Sequence, residues 1–343
     1  MLEIDGTAGG QVLRTALGFS ALLEREIKVS NIRAARPNPG LQHQHLTAVK
    51  TLQQLCSAEL SGDFMGSTEI TFNPKKFSGK RINVNIGTAG STLLVVQSLL
   101  LPSISNETQA RIFGGTDVPF APTFSHTNKV LFPLLRKMNA KFEVKLFSHG
   151  YYPKGNGSIF FKSSKSRLPL KSLKLTEQGS IESISIFSQC SSLPREVSTK
   201  QAIAAKKVLS KFTGAEITEQ ITHNPAANSI GSSIDILCKT SNGTFLGVNA
   251  LGSKGKPSEH VGLEAAEKFI EEIKSNVAVD SHTSDQLIPF MGLAKGKSEI
   301  AVASVTEHCK TCIDITEKFL GKRFEITARD GLSIISCDGV SWK

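Results

Sequence analysis

Three groups of residues in this chain could carry chemistry. The first is Glu307-His308-Cys309-Lys310-Thr311-Cys312. Read as Cys-x-x-Cys beside a histidine, it is half of a zinc site or a redox pair. No second Cys/His pair at suitable spacing exists to complete a structural zinc centre. Read as packing, Cys309 and Cys312 are two small interior residues. Read as a junction between a strand (Glu299 to Val305) and a helix (about Thr311 to Phe319), it exposes His308 at a helix N-terminus. An imidazole placed there is kept neutral, and a neutral imidazole is a nucleophile.

The second group is the run from Arg33 to His45, with Arg33, Arg36, Gln44 and His45 as its polar members. Two arginines stand before a helix whose expected N-cap is Asn38, with Pro39 in its first turn. A planar guanidinium suits phosphate, and Gln44 can add hydrogen bonds. The alternative is a pair of surface charges. His43 and His45 are two residues apart, so they face different sides of a helix and cannot share a metal there. His45 falls on the apolar stripe Leu41, His45, Ala48, Leu52, Leu55 and reads as an interior histidine. The third group is Gly6-Thr7-Ala8-Gly9-Gly10. Between a strand and a helix, such a loop can aim backbone N–H groups at a phosphate, or it can be a tight turn. Its spacing fits neither a P-loop nor a dinucleotide fingerprint.

These groups need elements to position them, and the chain is long enough to provide them. It has 343 residues, 39% of them hydrophobic and 20% charged. That composition supports a sizeable core and excludes wholesale disorder. No apolar run reaches the roughly 18 residues of a membrane helix. The N-terminus carries no basic stretch or cleavage site, so the expected compartment is the cytoplasm, with no membrane partner. A net charge of +10 points to a polyanionic partner or to a lysine-rich surface. Six scattered cysteines do not read as a disulfide framework.

Short strands alternate with helices. Strands are expected at Leu2 to Asp5, from Ile27 through Arg33, and at Glu69 to Phe72. Helices are expected after Gly10 and after Pro39. The pattern restarts with a strand at 81–86, Gly87-Thr88-Ala89-Gly90, helices at Ser91 to Leu101 and Thr123 to Met138, and strands near Phe142 to Phe147. Gly-Thr-Ala-Gly thus recurs at 6–9 and 87–90 in the same context, which implies a repeat of about 80 residues. A third copy would begin near 168, but its helix and strand emerge only at Asp280 to Ala303. The excess implies an inserted domain over 180–257, within a core of 1–179 and 258–343.

Taken in order, several motifs resemble the RNA 3′-terminal phosphate cyclase family. They are Ile4-Asp5-Gly6 with Gly9 to Arg14, Ile32 to Arg36 with Pro39-Gly40-Leu41, and Gln44 to Ala48. Gly90 to Gln97, Gly114 to Asp117, His149 to Gly155, Asp285-Gln286-Leu287 and His308 to Thr311 follow. The resemblance spans nearly the whole chain. It implies an α+β fold of three βαβαββ-type repeats, like the C-terminal domain of translation initiation factor three, with a smaller α/β domain inserted in the third. It also implies ATP-dependent conversion of an RNA 3′-terminal phosphate to a 2′,3′-cyclic phosphate through a histidine-AMP intermediate. By position, His308 is the nucleophile. Gln97, His282, Thr283, Ser284, Asp285 and Gln286 match ATP-binding positions. Arg14, Arg33, Arg36 and Gln44 match residues that hold phosphates. The implied partners are ATP, a divalent metal (Mg²⁺ or Mn²⁺) and an RNA with a 3′-phosphate end; association into a homo-oligomer is left open. The first loop is shorter than the family's usual Gly-Glu-Gly-Gly-Gly run and has no glutamate, so no metal ligand is assigned. A cyclase-like protein that binds rRNA in ribosome assembly without catalysis is the alternative.

Overall fold

A computed structural model describes all 343 residues. Strand β1 (Leu2–Asp5), helix α1 (Gly10–Leu23), β2 (Ile27–Ser30), α2 (His43–Cys56), β3 (Glu59–Ser61) and β4 (Ile70–Asn73) form the first unit. Its sheet has the order β1-β2-β4-β3; β1 and β2 are parallel and the other pairs antiparallel. Strand β5 (Arg81–Asn85), α3 (Thr92–Leu100) and β6 (Gln109–Gly114) open the second unit. A helical stretch follows: α4 (Phe124–His126), a π turn (Thr127–Leu131) and α5 (Phe132–Lys137). Strands β7 (Lys141–Ser148) and β8 (Gly157–Ser164) close it. The order β5-β6-β8-β7 again has one parallel pair followed by antiparallel ones.

Two-residue strand β9 (Lys174–Leu175) comes next, and then a separate group: β10 (Ile181–Ser191), α6 (Glu196–Phe212), β11 (Glu216–Asn224), β12 (Gly231–Thr240), β13 (Phe245–Leu251) and α7 (Ser258–Lys274). Its sheet is ordered β11-β10-β12-β13. The chain returns with α8 (Ser281–Leu293), β14 (Lys295–Val302), α9 (Glu307–Leu320), β15 (Phe324–Arg329) and β16 (Leu332–Val340). Here β9 pairs parallel with β14, and the order read from β9 is β9-β14-β16-β15. The same strand sequence and sense of pairing therefore occur in three sheets. The mixed α+β architecture agrees with the alternation read from the chain.

Helices of the first, second and last units meet in one apolar core of 66 residues. Within it Phe19 of α1 stacks on Phe319 of α9, centroids 5.1 Å apart, and Phe290 of α8 meets Phe142 of β7 edge-on. A second core of 16 residues belongs to the β10–α7 group. It takes Val261, Ala265, Ala266 and Phe269 from α7, and also Val277, so the packing that starts at β10 continues past residue 257. All six cysteines are free and buried. No helix is long and apolar enough to cross a membrane.

Two local expectations need correction. Strand β2 stops at Ser30, because Asn31 and Arg33 take left-handed backbone angles. Helix α2 starts at His43 rather than around Pro39. Gly40, at φ +78, turns the chain where a Cβ would lie 2.1 Å from Gly66 O, and Arg33 Nη1 donates to the carbonyls of Asn38 and Gly40. The cap is instead a box in which Gln42 N donates to His45 Nδ1 at 3.2 Å. Seven strands, β3, β6, β8, β9, β11, β15 and β16, were not foreseen.

Phe19 is fully buried and joins the two helices that bear Arg14 and His308. Replacing it with alanine is expected to lower the unfolding free energy by about 3–5 kcal/mol, read from urea denaturation.

Candidate active site

Helix α1 begins at Gly10 with no side-chain cap, leaving the first-turn N–H groups available to an anion. Gly9, at φ +136, lies under the Arg36 guanidinium, whose Nη2 would be 3.3 Å from a Cβ at that position. A Cβ on Gly10 would lie 2.2 Å from His45 Nε2. Both glycines therefore clear space that the two cationic or donor groups fill. One turn into α1, Arg14 is half-buried, and its Nε is buried with no partner. Burial pulls its guanidinium down to about 10, against the pull of Asp285. His45 is driven down to about 3 by burial, then by Arg14 and Arg33. It is neutral at physiological pH, and because Nδ1 accepts from Gln42, Nε2 carries the proton and faces Gly10 and Arg14.

His308 enters from the other side, in the first turn of α9. The cap of that helix is Thr306, whose hydroxyl accepts from Cys309 N at 3.1 Å, so the imidazole is not spent on capping. Its side chain reaches solvent. Partial burial, then Arg36, Arg14 and His282, hold it below the ordinary imidazole value. Cys309 and Cys312 point inward from the same turns. Burial pushes the Cys309 thiol up to about 12 and the Cys312 thiol up as well, so both are protonated at physiological pH. Of the three readings of this segment, interior packing describes the cysteines.

The ATP-matching residues cluster at the start of α8. Asp280 caps that helix, accepting from His282 N (3.1 Å), Thr283 N (2.8 Å) and Thr283 Oγ1 (3.0 Å). Ser284 Oγ donates to Ser281 O at 3.2 Å. Thr283 and Ser284 thus hold the helix start together, whereas His282 is exposed. Gln97 of α3 donates to Gln286 Oε1 at 2.6 Å, and Gln286 donates to His282 O at 2.6 Å. Asp285 accepts from Gln11 of α1, and its Oδ1 is buried without a partner. Burial raises its carboxyl to about 7, opposed by Arg14 and Gln11.

The structure therefore brings His308, Arg14, Arg36, His282 and Asp285 together. Two expected phosphate ligands are partly committed elsewhere. Arg33 Nη1 braces its own loop, and Gln44 Oε1 accepts from Ser91 N at 2.9 Å, tying α2 to the second glycine loop. Gln11, His45 and Asp280 went unassigned at the sequence level. Gln11 could have been found three residues before Arg14, on the same helix face. Asp280 contacts His126 Nε2 at 3.5 Å in a fully buried pair, and nothing in the sequence spacing joins those two.

No three His, Cys, Asp or Glu side chains come together as a metal site. The carboxylate nearest the arginines, Asp285, is already bonded to Gln11 and faces Arg14. Asp5 accepts from Thr7 and Asn31. The residues present do not form a protein ligand set for a divalent ion. What they offer is an exposed neutral imidazole facing a helix N-terminus, two guanidiniums and an N–H imidazole: a nucleophile beside an anion-binding surface.

A profile of the family described as "RNA 3′-terminal phosphate cyclase" matches residues 5–326. Three similar proteins carry the name RNA 3′-terminal phosphate cyclase. That of Methanopyrus kandleri is 37% identical over 340 residues, covering 96% of each chain. That of Staphylothermus marinus is 40% identical over 329 residues, covering 93% of this chain and 92% of its own. That of Pyrococcus abyssi is 40% identical over 339 residues, covering 96% of each.

The raised Asp285 carboxyl has a consequence for stability. The folded state holds this proton more tightly than the unfolded chain does, so the contribution is fully present below about pH 4 and is lost as pH rises to about 7. In Asp285→Asn that loss is absent. Unfolding free energies of the two proteins, measured from pH 4 to 7.5, should diverge in favour of the variant as pH rises; parallel curves would show that the carboxyl is ionised throughout.

Proposed function

Because this chain belongs to the RNA 3′-terminal phosphate cyclase family, we propose that it converts an RNA 3′-terminal phosphate into a 2′,3′-cyclic phosphate at the expense of ATP, through AMP carried on His308. The observation that carries the reading is the position of His308: solvent-facing in the first turn of α9, and beside Arg36 and Arg14.

The chemistry runs in three displacements. His308 attacks the α-phosphorus of ATP; the bond to the β-phosphate breaks and pyrophosphate leaves. An oxygen of the RNA 3′-phosphate then attacks the same phosphorus and the P–N bond to His308 breaks, leaving RNA capped with AMP. Last, the vicinal 2′-OH attacks the terminal RNA phosphorus, gives up its proton, and expels AMP. A phosphate monoester alone has only an oxide to lose, so the cap supplies the leaving group. Positive charge on Arg14 and Arg36 serves two ends here. It keeps the imidazole unprotonated, and it offsets the charge that accumulates on the phosphoryl oxygens. Neutral His45 adds a donor without adding charge. His282, Gln286 and Gln97 make the rim where the nucleoside would lie, with His282 as a face for stacking.

The common strand order of three sheets supports reading the chain as three βαβαββ units. In that reading the β10–α7 group is a smaller α/β domain inserted in the third unit, between β9 and α8. The proposed division keeps 1–179 and the end of the chain as the core; α7 and Val277 go with the insert, to which they contribute apolar packing. The lack of a glutamate in the first glycine loop, Gly6-Thr7-Ala8-Gly9-Gly10, favours the alternative, an rRNA-binding relative without catalysis.

One experiment separates the two readings. With α-labelled ATP, the protein should take up one acid-labile AMP, and His308→Ala should take up none. Absence of label on the wild type, or equal labelling of His308→Ala, would overturn the mechanism. The pH dependence is a second check. A free imidazole is half protonated at 6.5, and His308 lies below that value. Labelling rate should therefore fall with acidification with a midpoint below pH 6.5.

A further inference from the structure

The outer faces of the three like-ordered sheets differ. In the first, Glu3, Asp5, Lys28 and Glu59 point away from the core. In the third, Lys297, Glu299, Glu325 and Thr327 do. Neither face has an aromatic ring. The second sheet is built otherwise. Its strands alternate buried and exposed positions, and the outward ones include Phe113 on β6, Phe147 on β7 and Phe160 on β8. Around them stand Arg81, Arg111, Lys141, Lys145 and Lys162, against one carboxylate, Glu143. None of those five cations forms an ion pair within the chain.

The register sets these groups in rows. Asn83, Arg111, Phe160 and Lys145 lie side by side across the four strands. The next row toward the loop ends holds Asn85, Phe113 and Ser158, with Phe147 beside them at the β7 irregularity. The Arg111 guanidinium sits 4.7 Å from the Phe147 ring centroid and 5.3 Å from that of Phe113, so two rings and a planar cation form one continuous surface. Rows two residues apart are about 7 Å apart along the strands. In the opposite direction, Gln109, Glu143, Lys145, Phe160 and Lys162 line a shallow depression.

Aromatic faces interleaved with unpaired cations match one chemistry well. Unpaired bases stack on rings and on guanidinium planes, while lysines follow the phosphates. Phe147 is 58% exposed, which is unfavourable for a surface with no partner. The sheet also leads toward the active site. Beyond Phe113, Gly115 N donates to Gly90 O at 2.8 Å, and the adjacent Ser91 N donates to Gln44.

We propose that the outer face of the β5-β6-β8-β7 sheet binds single-stranded RNA, upstream of the 3′ end held at His308, by stacking on Phe113, Phe147 and Phe160 and pairing phosphates with Lys145, Lys162 and Arg111. The link to the 3′ end rests on the cyclase reading; the binding face does not.

The test uses the full chain and a fluorescent single-stranded oligoribonucleotide of about 12 nucleotides ending in 3′-OH, which cannot be cyclised. Its binding therefore reports the face even if the cyclase reading fails. Two variants at exposed positions are compared with wild type, Phe147→Ala and the pair Lys145→Glu with Lys162→Glu, each with its melting temperature checked. Phe147→Ala should weaken binding about tenfold. The charge reversal should weaken it more and flatten its dependence on salt. A duplex of the same length should bind more weakly than the single strand, because its bases are already stacked. Affinity unchanged in both variants would assign the face to a protein partner or to packing alone and overturn the proposal. Equal binding of duplex and single strand would overturn it as well.

Discussion

Arg14 and Asp285 lie near one another, each half-buried, and their environment sets much of the site. Each is partly removed from water, so each is pushed toward its uncharged form, and each opposes that push in the other. Their attraction is coulombic, with no hydrogen bond between the two side chains. It also joins α1 near the start of the chain to α8 near its end. Gln11 strengthens the join by donating to Asp285 and, at 3.0 Å, to Cys312 Sγ on α9. Three helices from two distant units are thereby held in one register. Arg14 Nε is left buried there without a partner.

A second buried polar contact holds the other flank. His126 lies within 3.5 Å of Asp280, the cap of α8. Burial works against the charge on His126, but Asp280 and Asp235 outweigh it and raise the imidazole. Asp235 belongs to β12, where it accepts from Thr123 and faces Gln189 at 3.4 Å. The helix start that carries His282 to Gln286 is thus fixed through the second unit to the sheet of the β10–α7 group.

Much of this could be read from the chain. The strand–loop–helix repetition, the apolar stripe of α2, and the interruption of the last unit all follow from periodicity, because the elements are amphipathic and the loops are marked by glycine. His45 was legible as interior because it fell on that stripe. Other features were not. The start of α2 was misplaced because Asn38-Pro39 imitates a cap; the turn at Gly40 is set by the approach of Gly66, 26 positions away, and no local rule registers it. Strand β3 has three residues and β11 exposes most of its side chains, so neither has a clear alternating pattern. The pairings Gln97–Gln286, Gln11–Asp285 and His126–Asp280 are tertiary facts. Sequence nominated both members of the first pair, Asp285 of the second and neither of the third, and only folding pairs them.

The contact between Thr15 and Cys312 spans 297 positions, and Arg14 and Arg36 are separated from His308 by a comparable length of chain. A polypeptide emerges from the ribosome with its amino end first, and its early portions can fold before the rest exists. The elements that carry Arg14, Arg36 and His45 are thus synthesised long before α9. The third sheet must also wait, since β9 leaves the exit tunnel more than a hundred residues ahead of its partner β14. A product terminated before α9 accordingly carries Arg14, Arg36 and His45 but lacks His308, so the grouping of these four side chains is completed only by the last tenth of the chain.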